Sequence, residues 1–192
     1  MMSRLKNSIE TSIQIKQKIL ADQNMIGRLE DIINLLTKRL KSGSRVFWCG
    51  NGGSAADAQH LSSELSGRFY KNRDPLNSEA LHVNSSYLTA VANDFSFDEV
   101  YARALLAKAD EGDVLICLTT SGKSKNIINA IRQASVLNLH VICFTGENGT
   151  NADDLCEHIV KIPSQDTPRI QEVHMLLGHI ICEHIEANLF PE

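Results

Sequence analysis

His60 and Glu64 stand four residues apart in a segment that reads as helix, so both face one side. An imidazole and a carboxylate at that spacing could hold a metal or move protons, although an ordinary helix-surface pair has the same spacing. Leu61 and Leu65 flank Glu64 and would partly desolvate it, which suits a general base. A second polar set, Gln171, Glu172, His174, His179 and His184, lies on an otherwise apolar C-terminal segment. Gln171 and His179 are eight residues apart, about 80° around a helix, and can reach a common site. His174 competes with His179, and spacing alone does not separate them. There is no H-E-x-x-H motif and no close cysteine pair, so the metal signal from spacing is weak.

Two loops have the composition of an anion cradle. Gly50-Asn51-Gly52-Gly53-Ser54 follows an apolar run directly and opens a helical segment. Its glycines permit positive φ and close backbone approach, and exposed amides at a helix start attract anions. It has neither the spacing of a dinucleotide fingerprint nor the lysine of a P-loop. Thr119-Thr120-Ser121-Gly122-Lys123-Ser124 repeats the arrangement with several hydroxyls, although Ser124 could serve only as an N-cap. Lys123 could add charge or point to solvent. No aromatic stacking surface accompanies either loop, which favours a phosphate over a nucleotide. Asn93-Asp94 reads equally as a cap or turn and as a pair for sugar hydroxyls.

These residues need a scaffold. Short apolar runs at 45–49, 80–83, 113–119, 140–146 and 158–163 alternate with helical segments at 54–68, at 97–109, from the SGKS loop through Ser135, and at 168–188. Runs apolar on both faces suit a parallel sheet covered by helices, so the expected fold is α/β, a three-layer sandwich on a five-stranded parallel sheet. Both loops then sit at the carboxyl ends of strands, where open α/β sheets bind ligands. Residues 1–42 read as a helical hairpin. Leu5, Ile9, Ile13 and Leu20 recur in its first half and Ile26, Leu29, Ile33, Leu36 and Leu40 in its second; Asp22 or Asn24 caps the second helix and Gly43 stops it. Such apolar helices need a surface to cover, on their own sheet, on another subunit, or both. Glu172 is available as a first-turn acid of the last helix.

The chain has 192 residues, which suits one domain over 1–192 with 1–42 as an N-terminal helical extension. Nineteen basic and 23 acidic residues leave a net charge of −4, which argues against a broad nucleic-acid surface. Five cysteines without a close pair read as small buried hydrophobes. No apolar signal core begins the chain and no run is long enough to span a membrane, so a cytoplasmic location is expected.

CGNGGSAADAQH (49–60), SSELSGRF (62–69), VANDFSF (91–97), TTSGKS (119–124) and RIQEVHMLLGHIICEHIE (169–186) occur in order along the chain. With them the sequence resembles the phosphoheptose isomerase group of the sugar isomerase (SIS) fold family over essentially its whole length. That resemblance implies interconversion of sedoheptulose 7-phosphate and D-glycero-D-manno-heptose 7-phosphate through an enediol, for nucleotide-heptose and often lipopolysaccharide biosynthesis. It implies one zinc per subunit on His60, Glu64, Gln171 and His179, with Glu64 as catalytic base and His179 as second acid–base group. Implied substrate contacts are Asn51, Gly52, Gly53, Glu64, Asn93, Asp94, Thr119, Thr120, Ser121, Ser124 and Gln171. A homotetramer with shared active sites is implied as well. Thr119 stands where the family commonly has serine, keeping the hydroxyl. A relative of the same fold that binds a replication initiator lacks the residues matching Glu64 and His179, and this chain has both. The alternatives are a mutase- or lyase-type enzyme, and a non-catalytic phosphosugar-binding or initiator-binding protein.

Overall fold

The computed structural model describes residues 2–191. Two helices lead the chain, α1 (Met2–Ala21) and α2 (Gln23–Lys41), and then strands and helices alternate. The order is β1 (Val46–Gly50), α3 (Gly53–Ser66), β2 (Ser78–Ala80), α4 (Ser85–Asp94), α5 (Val100–Lys108), β3 (Val114–Thr119), α6 (Lys125–Val136), β4 (His140–Thr145), β5 (His158–Lys161) and α7 (Thr167–Leu189). The five strands form one parallel sheet in the order β2-β1-β3-β4-β5. In that order the chain runs outward in opposite directions from β1 and β3. Their carboxyl ends therefore diverge into a crevice, the place where doubly wound sheets bind ligands.

Side-chain alternation along the strands builds the three layers. Val46 and Trp48 of β1, with Val114, Ile116 and Leu118 of β3, pack beneath α2, α3 and α7. Phe47, Cys49, Leu115 and Cys117 point the other way, toward α5 and α6. Both sets are buried, as a parallel sheet covered on both faces requires. Cys49, Cys117 and Cys143 align in register across β1, β3 and β4 and are free and buried. Burial, then neighbouring thiols, push the Cys117 thiol up, so it stays protonated and packs as a small hydrophobe.

The N-terminal hairpin folds for local reasons. Asp22 occupies the N-cap of α2, its carboxylate accepting from the amides of Asn24 and Met25 at 3.0 and 3.1 Å. The apolar stripe of α2 (Met25, Leu29, Ile32, Ile33, Leu36, Leu40) is buried. On α1, among the residues whose burial is described, Ile15 and Ile19 reach the core, while Leu5, Ile9, Ile13 and Leu20 are exposed.

Several local expectations need correction. β2 covers 78–80 rather than 80–83, because Ser78 and Ala80 pair with Val46 and Trp48 and the chain then turns. The helix α4 was not anticipated: Val91 alone on it is buried, so it has almost no apolar period, and Asn84 starts it by accepting from the Tyr87 amide. The 97–109 segment is a 3-10 turn (Phe97–Glu99) followed by α5. Glu172 lies beyond the first turn of α7; it pairs with Arg169 and accepts from the Ser12 hydroxyl at 2.8 Å, fastening α1 to α7. No helix among the described residues is long and apolar enough to cross a membrane.

Candidate active site

A cavity of 240 Å³ opens where β1 and β3 end. It is lined by Asn51, Gly53 and Ser54 from the first loop, by Thr119, Thr120, Ser121 and Ser124 from the second, and by Thr167 and Gln171 of α7. Three helices begin here: α3 at Gly53, α6 after Ser124 and α7 at Thr167. Each brings the positive end of its dipole to this space, so three such ends converge on one anion-sized cavity.

The local chemistry keeps that space open. Gly52 has φ 57°, and a Cβ on Gly53 would collide with the Gln171 carboxamide. Gly122 has φ 66°, and a side chain there would strike the Gly149 carbonyl. Ser124 stands at the N-cap of α6 but its hydroxyl caps no amide of that helix. The Thr119 hydroxyl accepts from the Gly122 amide at 3.2 Å, and the Ser121 hydroxyl from the Lys123 amide at 3.2 Å, which folds the loop into a tight turn. Lys123 is exposed and does not line the cavity. Asn126, buried in the first turn of α6, exchanges amide hydrogen bonds of 2.8 Å with Asn51 in both directions and so locks the two loops together. Sequence reading missed Asn126, since an Asn in a helical run carries no signal until its partner is known.

The second cluster lies farther along the two helices that leave the cavity. The Nε2 of His60 is 3.1 Å from Oε1 of Glu64 and 3.0 Å from Nε2 of His179. The three potential ligand atoms all lie within 4.8 Å of one another. Two imidazole nitrogens aimed at each other beside a carboxylate must share a proton or a cation. A divalent metal favouring nitrogen and oxygen donors fits that set, with open coordination left over. The Glu64 side chain is 22% exposed and that of His60 50%, so the carboxylate is partly sheltered while the mouth stays open. Asp57, one turn before His60, has a buried carboxylate oxygen without a partner; burial raises its pKa against the attraction of His60.

Not every candidate joins these two clusters. His174 is buried against Phe144, its Nε2 3.4 Å from the Thr145 carbonyl, and desolvation lowers its pKa to about 4 despite that contact. It is therefore a neutral core residue, and the cluster takes His179 instead. Gln171 lies in the cavity against Gly53. Gly52 is exposed at the cavity's rim. Asn93 and Asp94 end α4, exposed and bonded to each other at 2.9 Å, outside the cavity.

Comparison with known proteins adds to this geometry. A family model described as the SIS domain matches residues 9–146. The phosphoheptose isomerase of Mycobacterium tuberculosis is 46% identical over 182 residues, 95% of this chain and 92% of its own length. That of Clostridium acetobutylicum is 40% identical over 192 residues, 100% of this chain and 98% of its own. Among solved structures, the phosphoheptose isomerase of Neisseria gonorrhoeae superposes with a TM-score of 0.90 at 34% identity, covering 97% of this chain and 98% of the other. The one from Francisella tularensis gives 0.91 at 32% identity, covering 96% and 97%.

Proposed function

The chain belongs to the SIS-domain family and, within it, to the phosphoheptose isomerases, and from that membership we propose that it interconverts sedoheptulose 7-phosphate and D-glycero-D-manno-heptose 7-phosphate. One observation carries the reading to chemistry: an anion cavity and a His–Glu–His cluster are joined by the two helices that leave the cavity together. His60 follows Ser54 by six residues on α3, and His179 follows Gln171 by eight on α7, offsets of about 9 and 12 Å at the helical rise. A phosphate held at one end of a seven-carbon chain then places its carbonyl end toward Glu64.

In this reading Thr119, Thr120, Ser121 and Ser124 receive the phosphate, and Asn51, Gly52 and Gly53 border the sugar. Glu64 removes the proton from the carbon beside the carbonyl and returns it to the neighbouring carbon, passing through an enediol. His179 moves a proton between the two oxygens, a task suited to an imidazole, which both donates and accepts near neutrality. His60, Glu64 and His179 would hold one zinc ion, with Gln171 turning from Gly53 to join them. When bound, zinc would polarise the carbonyl and orient the sugar. Binding energy at the remote phosphate helps hold the reacting carbons in place.

Incubation with sedoheptulose 7-phosphate, followed by NMR, should show the aldose appearing until equilibrium. A folded, zinc-supplied preparation that leaves the ketose untouched would remove the proposal. Metal analysis of protein purified without chelator should find close to one zinc per subunit; full activity in verified metal-free protein would leave zinc no catalytic part. Ser121→Ala removes a hydroxyl offered to a charged group, so KM should rise about tenfold or more with little change in melting. An unchanged KM would place the phosphate elsewhere.

The proposal extends to a homotetramer with shared sites. Leu5, Ile9, Ile13 and Leu20 leave α1 with an apolar face, and a 650 Å³ groove lies between α1, α2 and α7. Asn93 and Asp94, exposed and outside the cavity, would then contact substrate bound by a neighbouring subunit. Light scattering should report four times the subunit mass of 21.3 kDa. A monomer at micromolar concentration would overturn this part alone.

A further inference from the structure

Beyond the reacting groups, one buried ion pair ties together the two helices that carry them. Glu186 is 2% exposed and sits seven residues after His179, two turns along the same side of α7. Its carboxylate accepts four hydrogen bonds: from the amides of Phe69 (3.0 Å), Tyr70 (2.7 Å) and Lys71 (2.8 Å), and from Nε of Arg73 (2.9 Å). The rest of the Arg73 guanidinium closes the end of α3. Its Nη2 donates to the Glu64 carbonyl at 2.8 Å, and its Nη1 to the carbonyls of Leu65 (2.8 Å), Gly67 (3.2 Å) and Asp74 (3.0 Å). Carbonyls at a helix end have no intrahelical partner, and a cation there also meets the negative end of the dipole.

The consequences reach both members of the reacting pair. Arg73 holds the backbone of Glu64 itself. Glu186 holds the amide of Phe69, whose ring lies 5.9 Å from the ring of His179, centroid to centroid. Between these points α3 and α7 pack too closely to slide: a Cβ on Gly178 would collide with Leu61. An ion pair this deeply buried stabilises little beyond what well-packed apolar groups would. What it supplies here is direction, because a forked guanidinium and a four-coordinate carboxylate permit one register of α3 against α7.

We propose that Arg73 and Glu186 are positioning residues that set the separation of Glu64 from His179. The inference rests on the reading of those two as the reacting groups. Glu186→Gln keeps the shape but places an amide N–H₂ among donors, which opens the joint. A misplacement of about 1 Å costs on the order of 100-fold in rate. At a temperature where circular dichroism shows the variant fully folded, kcat should fall about 10- to 100-fold while KM stays within about twofold, since the phosphate loops are untouched. With Co²⁺ loaded as a spectroscopic probe, its ligand-field bands should change shape. Ile131→Val, a buried change in the opposite layer, serves as the control for lost stability and should leave kcat and spectrum alone.

If Glu186→Gln does not fold, Arg73→Lys tests the same joint: it keeps a cation beside Glu186 but gives up the forked donors to the Glu64 and Leu65 carbonyls, with kcat expected to fall and KM to hold. A folded variant with wild-type kcat and an unchanged Co²⁺ spectrum overturns the positioning role, as does an equal loss of kcat in the control. If instead Glu64→Gln exchanges substrate hydrogen at the wild-type rate, the underlying assignment fails first.

Discussion

Glu64→Gln should bind the sugar phosphate and fail to exchange the hydrogen on the carbon beside its carbonyl. Glutamine keeps the length and one acceptor oxygen of the glutamate but has no basicity to take a carbon-bound proton. Loss of general-base catalysis typically costs 10²–10⁴-fold in rate. The structure limits the side effects: the Glu64 side chain is partly exposed, its carboxylate lies 3.1 Å from the His60 ring nitrogen, and the Arg73 bond goes to its backbone, which the substitution leaves in place. The cavity at the ends of β1 and β3 is also untouched, so KM should stay near wild type. The measurement is incorporation of solvent deuterium into substrate by folded protein with its zinc content verified. That control matters because Glu64 is also assigned to the metal, and a ligand held permanently on a cation is a weaker base. Exchange at the wild-type rate would falsify the assignment of Glu64 as base.

The fold was legible because its signals are local and periodic. β1, β3 and β4 are apolar on both faces and each runs into a glycine- or hydroxyl-rich loop, a pattern few structures other than a covered parallel sheet produce. The hairpin was legible from the stripe of α2 and from Asp22. What failed lacked such a signal. α4 buries one residue, so nothing in its sequence distinguishes it from a loop, although the cap-or-turn reading of Asn93 and Asp94 agrees with their place at its end. β2 is a three-residue edge strand whose bounds depend on β1 rather than on its own apolar run, 80–83.

The site was legible in kind and not in arrangement. Glycines and hydroxyls at strand ends point to an anion, and the cavity gathers most of them. The bond that locks the two loops, Asn51 to Asn126, spans 75 residues and leaves no trace in either neighbourhood. The same holds for Glu186, which reads as a surface carboxylate near the end of a helix until Arg73 folds over it. Spacing along α7 put His174 and His179 on equal terms. Burial separates them, because only the packed structure shows that His174 faces Phe144 and not α3.

That separation makes a paired prediction for the last helix. His179→Gln should lower kcat by about 10²–10⁴-fold, the range for losing one acid–base group, and leave KM nearly unchanged. Glutamine can still donate and accept hydrogen bonds, but it cannot carry a proton from one oxygen of the enediol to the other. His179 is partly exposed at the cluster's mouth, within 3.0 Å of His60, so the protein should keep its fold and its phosphate cavity. His174→Gln is the comparison. His174 is fully buried, and with a pKa near 4 it stays neutral through the working range, so it carries no proton and its loss should be felt in melting while kcat per folded subunit stays close to wild type. Both variants are assayed at saturating zinc with bound metal measured, which separates lost proton transfer from lost cation. A folded, metal-loaded His179→Gln enzyme with kcat within about threefold of wild type would take His179 out of the chemistry and leave it, at most, a ligand.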